Sequence, residues 1–179
     1  MPKVLLVVGH PDLSQSKANK ALVDAVRELP HVTVHDLYAA YPDFRIDVDA
    51  EQALLAEHDV IVFQHPVFWY NTTPLLKQWQ DKVLTLGWAF TMDGSPSKLA
   101  GKKAVVAVTA GVPADHYTPE GANKTTLETL LSNWHATLRL CQFDIQPMVT
   151  LYGTAFGLSD QGLNSAAKQY NELLASFAA

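Results

Sequence analysis

Small polar residues gather around the start of a predicted helix, directly after the first apolar run of the chain. Residues 9–19 read Gly-His-Pro-Asp-Leu-Ser-Gln-Ser-Lys-Ala-Asn and include Ser14, Ser16, Lys17 and Asn19. Unpaired N–H groups and hydroxyls at a helix start favour an anion, and Lys17 adds a positive charge. The alternative is that Ser16 only caps the helix. The segment therefore indicates either a phosphate site or an ordinary helix cap.

Three consecutive aromatic residues follow a second apolar run. Residues 65–71 read His-Pro-Val-Phe-Trp-Tyr-Asn. Phe68, Trp69 and Tyr70 cannot all face the core, so we expect at least one to face a crevice where a flat ligand could stack. The alternative is that Phe68 and Trp69 cover the edge of the sheet.

A third segment, residues 109–117, reads Thr-Ala-Gly-Val-Pro-Ala-Asp-His-Tyr. Gly111 allows the backbone to approach a ligand closely. Tyr117 offers a phenol that can donate or accept a hydrogen bond. In isolation, this segment is also typical of an ordinary turn between a strand and a helix.

Several other kinds of site are disfavoured. The chain has no G-x-x-x-x-G-K-[ST] loop, no G-x-G-x-x-G fingerprint and no G-x-S-x-G elbow. Its seven histidines form no H-E-x-x-H motif, so we predict no metal. His31 and His35 are expected at the surface of an edge strand, and Cys141 is expected to be a small core residue.

The elements that must position these segments alternate along the chain. Helix and strand periodicity predicts ten of them. The strands are expected at 3–8, 31–37, 59–64, 103–109 and within 143–152; the helices at 18–29, 50–57, 74–85 (with Thr73 as N-cap and Pro74 at the first helical position), 125–140 and 160–177.

Continuous apolar strands covered by helices predict an α/β protein with a doubly wound, five-stranded parallel sheet. In such sheets the ligand crevice lies at the carboxyl ends of the strands, where the winding reverses. For the strand order 2-1-3-4-5, loops 9–17, 65–73 and 110–123 flank that crevice. A phosphorylated receiver domain would share this topology, but the strand ends lack its clustered carboxylates.

Composition narrows the class of protein. The length of 179 residues fits one domain, 1–179, and a hydrophobic content of 48% excludes disorder. A net charge of −5 without a Lys/Arg run argues against nucleic-acid binding. A single cysteine fits a reducing cytoplasm. The apolar run 4–8 is far short of the ~20 residues of a membrane helix, and no signal-peptide pattern follows it.

Together, these segments resemble those of the flavodoxin-like NAD(P)H:quinone oxidoreductases. Within that family, the chain is most similar to the ancillary flavoproteins of glutathione-gated potassium-efflux systems. The matching stretches are His10-Pro11, 16–19, 63–70, 74–77 with Trp79, 81–84, 87–90, the third segment and 141–143. The resemblance covers nearly the whole chain, and the central stretch is its most specific part.

The resemblance implies the strand order 2-1-3-4-5 and an FMN cofactor, with FAD disfavoured because the compact chain has no segment for an adenine. It implies that the phosphate and ribityl chain contact His10, Ser16, Lys17, Ala18 and Asn19, that the isoalloxazine lies along Pro66, Val67, Phe68 and Trp69, and that its pyrimidine edge is cradled by Thr109, Ala110, Gly111 and Val112.

It further implies hydride transfer from NAD(P)H to the flavin and then to a quinone, with ping-pong kinetics. Tyr117 and Asn123 are the implied catalytic residues. The sequence departs from the family at Ala110 and Val112, which replace a threonine and a glycine, and at Asn123, where a histidine is common.

A homodimer is expected from the resemblance, and also because the aromatic-rich segment 79–90 favours a second subunit that buries it. The alternative function is a flavin-binding regulatory subunit, docked on a potassium-efflux antiporter at the inner face of the membrane. An electron-carrying flavodoxin is disfavoured because its T-x-T-G-x-T phosphate loop is missing.

Overall fold

Strands and helices alternate in the computed structural model, which describes residues 1–178. The strands are β1 (Val4–Val8), β2 (Val32–Asp36), β3 (Val60–Pro66), β4 (Lys103–Thr109), β5 (Asp144–Ile145) and β6 (Val149–Leu151). The helices are α1 (Lys17–Val26), α2 (Leu37–Ala40), α3 (Val48–Ala56), α4 (Pro74–Val83), α5 (Leu127–Leu130), α6 (Ser132–Leu140) and α7 (Asp160–Ser176). Within residues 1–178, no helix has the length and apolar character needed to cross a membrane.

The sheet is parallel, with the strand order β2-β1-β3-β4-β5, and β6 also pairs with β4. Side chains of β1 alternate between two cores. Leu5 and Val7 join the core that includes residues of α3, α4 and α6, whereas Val4, Leu6 and Val8 join the core that includes residues of α1 and α7. The predicted doubly wound sheet and its order are confirmed.

The fifth predicted strand is divided into β5 and β6, which pair with opposite ends of β4. Pro147 lies between them and has no N–H to donate to a strand ladder, which accounts for the interruption. The predicted helix 125–140 is likewise divided, with Leu131 between α5 and α6. Helix α1 ends at Val26, three residues before the prediction and shortly before Pro30.

The start of α4 differs from the prediction. Pro74 occupies the first helical turn as expected, but the Thr73 side chain caps no helix N–H. Instead, the Thr73 hydroxyl donates to the carbonyl of Gly9 at 2.8 Å. The helix donor Leu75 N–H is accepted by the phenol of Tyr38 at 3.2 Å, so a tyrosine of α2 performs the cap.

Three expectations about burial are wrong. His31 is buried, with Nε2 bonded to the carbonyl of Leu174 at 2.9 Å. His35 is largely covered and bonds Glu51, which is itself buried. Trp79 is fully buried and donates to the other oxygen of Glu51 at 2.7 Å, so this part of segment 79–90 needs no partner subunit.

Candidate functional site

The three segments identified in the sequence meet at one edge of the sheet. Gly9 N–H donates to the carbonyl of Gln64 at 2.8 Å, which joins the end of β1 to β3. Val67 N–H donates to the carbonyl of Thr109 at 2.8 Å, which joins the end of β3 to β4. Because the strands are parallel and adjacent, their carboxyl ends bring the three loops together.

The start of α1 combines a cap with unpaired donors. The Ser16 hydroxyl accepts from Asn19 N–H at 3.1 Å, so Ser16 is an N-cap. Within residues 1–178, the N–H groups of Lys17 and Ala18 have no acceptor. The ammonium of Lys17 contacts the carboxylate of Asp160 and lowers the pKa of that carboxyl. The helix start therefore presents two backbone donors beside a cation that is already paired.

Asn19 lies beneath the helix start rather than at its tip. Its side chain is buried, and Nδ2 donates to the hydroxyl of Thr109 at 2.9 Å. The Gln64 amide donates to the backbone carbonyl of Asn19 at 3.1 Å. These bonds tie α1 to β3 and β4, so Asn19 positions the helix start from inside the protein.

Sequence reasoning missed the loop that follows β6. Thr154 and Ala155 line a cavity of about 230 Å³ together with Lys17 and Ala18. Thr154 N–H donates to the carbonyl of Ala110 at 3.1 Å, which holds this loop against the end of β4. The sequence signal for this loop was Gly153. Its φ of +72° in the structure is a backbone conformation that favours glycine.

His10 extends from the first loop toward the aromatic residues. Its Nδ1 accepts from Asp12 N–H at 3.1 Å, so a neutral ring carries its proton on Nε2. Burial lowers the pKa of His10, against the opposing effect of Asp12 and Asp36. The ring centroid lies 6.4 Å from that of Phe68 in an edge arrangement. His10 thus offers a neutral N–H donor between the first two loops.

Residues 66–71 form a tight turn, which we call the aromatic loop. Phe68 and Asn71 exchange backbone hydrogen bonds at 3.0 and 3.1 Å. The two residues between them, Trp69 and Tyr70, both have positive φ, at 48° and 62°. Trp69 is 93% exposed, and Phe68 and Tyr70 are each 46% exposed. None of the three aromatic side chains enters the core.

A buried histidine supports the base of the aromatic loop. His65 is fully buried and stacks on Trp134 at a centroid distance of 5.6 Å. The indole N–H donates to His65 Nε2 at 3.1 Å, so Nδ1 carries the proton and donates to the carbonyl of Pro66 at 2.8 Å. Burial lowers the pKa of His65 to about 4. Two neutral side chains therefore fix the direction in which the loop leaves β3.

The third loop, residues 110–123, presents backbone donors and the phenol of Tyr117. Within residues 1–178, the N–H groups of Gly111 and Val112 have no acceptor, whereas Ala110 N–H donates to Leu151 at 2.9 Å. Tyr117 is almost buried, and its ring centroid lies 5.6 Å from that of Tyr152.

Asn123 is bonded in the structure to Tyr70, a residue that the sequence did not single out as polar, and Tyr70 also affects Tyr117 electrostatically. Burial raises the pKa of the Tyr117 phenol, and the nearby phenol of Tyr70 raises it further. The Tyr70 hydroxyl donates to Asn123 Oδ1 at 3.0 Å. The signal for Tyr70 was its place beside two other aromatics, which indicated stacking rather than a hydrogen bond.

Neither a reactive thiol nor a cluster of metal ligands accompanies these loops. Cys141 is buried as predicted, and burial raises the pKa of its thiol to about 11. Such a thiol stays protonated near neutral pH and is a poor nucleophile. Among residues 1–178, no three His, Cys, Asp or Glu side chains are grouped as metal ligands would be.

Known proteins are similar over nearly the full length of the chain. The profile of the Flavodoxin-like fold family matches residues 2–174. The glutathione-regulated potassium-efflux system ancillary protein KefG of Pectobacterium carotovorum is 44% identical over 176 residues, which are 98% of this chain and 94% of that protein.

Two solved structures extend the comparison. General stress protein 14 of Treponema denticola, in complex with FMN, superposes with a TM-score of 0.89 at 40% identity and covers 98% of this chain and 99% of its own. An NADPH-quinone reductase of P. pentosaceus superposes with a TM-score of 0.84 at 25% identity and covers 96% of each chain. On the extent of the profile match and the identity to KefG, this chain belongs to the Flavodoxin-like fold family.

Proposed function

We propose that this chain is an FMN-dependent NAD(P)H:quinone oxidoreductase. Four backbone N–H groups that have no acceptor within the described residues 1–178 carry the proposal. They belong to Lys17, Ala18, Gly111 and Val112, and they lie on both sides of the exposed aromatic loop at one edge of the sheet. Similarity to a protein in complex with FMN and to an NADPH-quinone reductase supports it.

The residues present fit the chemistry of FMN. Its phosphate would take the free donors at the start of α1, beside Ser16, Lys17 and the cavity under Thr154. The isoalloxazine would lie along Pro66, Val67, Phe68 and Trp69, with His10 as a further donor. Thr109, Ala110, Gly111 and Val112 would border its pyrimidine edge, where the two free N–H groups meet carbonyl oxygens. Asn19 would hold the helix start in place from below.

When bound, FMN supplies a group that accepts hydride from NAD(P)H and passes it to a quinone. The N–H groups of Gly111 and Val112 would stabilise the negative charge that develops at the pyrimidine edge. Exposed Trp69 would cover the ring and exclude water. Both substrates would use the crevice in turn, which gives ping-pong kinetics.

FMN binding is the first expected result. The purified protein should be yellow, or become yellow with FMN, and should bind FMN in preference to FAD. FMN at 100 times Kd should add about 2.7 kcal/mol to the apparent free energy of unfolding. Mass spectrometry of the released flavin and denaturant unfolding with and without FMN measure the two effects. A protein that neither carries FMN nor gains stability from it would refute the proposal.

We further propose that Tyr117 donates a hydrogen bond to the quinone oxygen as it is reduced. A bond made mainly in the transition state affects kcat. Tyr117→Phe should therefore slow quinone reduction on the order of tenfold at unchanged FMN content. Stopped-flow separation of reduction by NADPH from oxidation by benzoquinone measures this. If both half-reactions keep their rates, Tyr117 serves only to pack against Tyr152.

A second candidate function is favoured by the KefG relative, which is an ancillary protein of a potassium-efflux system. In this alternative, the chain docks on an antiporter at the cytoplasmic face of the membrane and uses the flavin as a sensing group. Steady-state turnover of the purified protein with NADPH, NADH and a benzoquinone separates the two. Rapid turnover without a membrane partner favours the enzyme. Bound FMN with slow or no turnover favours the regulator.

We also propose that the chain forms a homodimer. A groove of about 300 Å³ lies between α4 and α6. Leu84, Phe90 and Leu140 form the apolar part of its lining, beside polar residues of both helices. Leu140 is half exposed, and the nearby chain segment after α4 exposes Leu86 and Met92. A second copy of the chain would cover this apolar surface.

A further inference from the structure

The turn at the tip of the aromatic loop has a backbone that other residues would adopt more readily. Trp69 and Tyr70 are consecutive residues with positive φ, which favours glycine or asparagine over bulky side chains. Two-residue turns closed by reciprocal bonds usually contain Asn-Gly for this reason. Such strain persists only where surrounding contacts oppose relaxation.

Few contacts can oppose relaxation of this turn. Trp69 is 93% exposed and packs against little. The bond from Val67 N–H to Thr109 lies at the base of the loop, and the contact from Asn133 to the Asn71 side chain is long, at 3.5 Å. Within residues 1–178, the hydrogen bond from Tyr70 to Asn123 is the one side-chain hydrogen bond that joins the two strained residues to the rest of the protein.

The acceptor of that bond is itself fixed. Asn123 N–H donates to the carbonyl of His116 at 2.9 Å. The same turn is closed by Gly121 N–H, which donates to the carbonyl and to the hydroxyl of Thr118 at 3.1 and 2.9 Å. Asn123 Oδ1 is therefore held by the third loop, and the Tyr70 phenol links that loop to the aromatic loop.

We propose that the Tyr70–Asn123 hydrogen bond is a strut that holds the aromatic loop in its ligand-binding form before FMN arrives. Asn123 is then a positioning residue, which acts through Tyr70 rather than by contact with reacting atoms. The inference deepens the proposed function and rests on it, because it assumes that this loop contacts the flavin.

The strut makes a quantitative connection between loop order and affinity. If only a fraction of the molecules has the loop in its binding form, the apparent Kd rises by the inverse of that fraction. Phe68 N–H and Asn71 N–H donate within the turn, so both become free to exchange with solvent when the turn opens. Exchange follows the open fraction and the apparent Kd follows the inverse of the closed fraction. When the strut is lost, the two increases should therefore multiply to the factor by which the opening equilibrium changes.

The experiment compares five variants with the unmodified protein. Tyr70→Phe, Asn123→Ala and the double variant remove the bond, whereas Asn123→Asp keeps an acceptor oxygen in place. Tyr170→Phe is the matched control, since the hydroxyl of Tyr170 is buried on α7 and has no hydrogen-bond partner among residues 1–178. Amide exchange at Phe68 and Asn71 is measured by NMR on the protein stripped of flavin, and FMN affinity by quenching of flavin fluorescence.

In Tyr70→Phe and Asn123→Ala, we expect the factor by which exchange accelerates, multiplied by the factor by which Kd rises, to be about threefold to tenfold, as for one hydrogen bond. The double variant should lose no more than either single one. Asn123→Asp should restore both readouts, and Tyr170→Phe should change neither.

Two results would overturn the strut. One is that neither amide exchange nor FMN affinity changes in Tyr70→Phe and Asn123→Ala, and the other is a double variant that loses clearly more than either single one. Failure of the unmodified protein to bind FMN is a separate outcome. It would refute the proposed function and, with it, the ligand part of this inference, while amide exchange would still report whether the bond orders the loop.

Discussion

Acidification from pH 7 to pH 4.5 should cost the protein about 2 kcal/mol of its free energy of unfolding through His65 alone. His65 is fully buried, and burial lowers its pKa from 6.5 to about 4. Each pKa unit corresponds to about 1.4 kcal/mol, so the full effect below pH 4 is about 3 kcal/mol.

The sign follows from the two protonation states. The unfolded chain takes up a proton on His65 as the pH falls through 6.5, whereas the folded protein resists it until about pH 4. The stability is therefore fully present above pH 6.5 and is lost between pH 6.5 and 4. Protonation of the folded protein would also set an imidazolium Nε2–H against the indole N–H of Trp134.

Urea unfolding of His65→Gln across this pH range isolates the effect. Glutamine can accept from Trp134 but does not titrate. This variant should be less stable at pH 7, by about 1–3 kcal/mol for the bond lost to Pro66, and should change less with pH. Its stability should approach that of the unmodified protein near pH 4.5.

Glu51→Gln is the matched control, because it removes another buried ionisable group. Burial alone would raise the pKa of Glu51, but hydrogen bonds from His35, Tyr41 and Trp79 outweigh burial and lower it below 4.5. The stability that ionised Glu51 contributes is lost at a lower pH than that of His65. Glu51→Gln should therefore keep the decrease in the free energy of unfolding between pH 6.5 and 4.5. Parallel profiles for His65→Gln and the unmodified protein would contradict the account of His65.

The sheet could be predicted because each strand is read from its own residues. The apolar run at 4–8 and its neighbours have the composition of buried parallel strands, and these strands occur where expected. The predictions that were wrong concern contacts between residues that are distant in sequence. Thr73 bonds Gly9 instead of capping α4, and Tyr38 supplies the cap from 37 residues away.

The site was predictable as a set of loops but not in the roles of its side chains. The three loops converge because strand order dictates it. Burial of Asn19 depends on the packing of α1 against β3 and β4, and the bond from Tyr70 to Asn123 spans 53 positions of sequence. Neither periodicity nor spacing carries information on such pairs, so a residue type alone could not distinguish a ligand contact from a support.

Gly121→Ala should reduce the proposed quinone turnover on the order of tenfold, as Tyr117→Phe should, because it displaces the same phenol. An added Cβ would lie 2.2 Å from the backbone oxygen of Asp115 and 2.7 Å from that of His116. These two oxygens are backbone atoms and cannot move aside as the end of a flexible side chain would, so the turn must open. Opening it moves Tyr117 and Asn123 apart, since they flank the turn.

The loss of global stability should be moderate, because the turn lies outside the sheet. Overpacking of this kind costs about 1–3 kcal/mol, measurable by urea unfolding. Limited proteolysis within residues 113–124 gives a readout that does not depend on activity, and cleavage there should accelerate. Gly94→Ala is the control. Among residues 1–178, no heavy atom outside the two chain neighbours of Gly94 lies within 4 Å of an added Cβ. Its φ of +77° strains an alanine, so this variant tests glycine replacement with backbone strain but without a clash. Gly94→Ala should keep its turnover. Normal turnover and unchanged proteolysis in Gly121→Ala would contradict the prediction. They would show that the turn tolerates the methyl group and that the spacing of Tyr117 and Asn123 does not depend on Gly121.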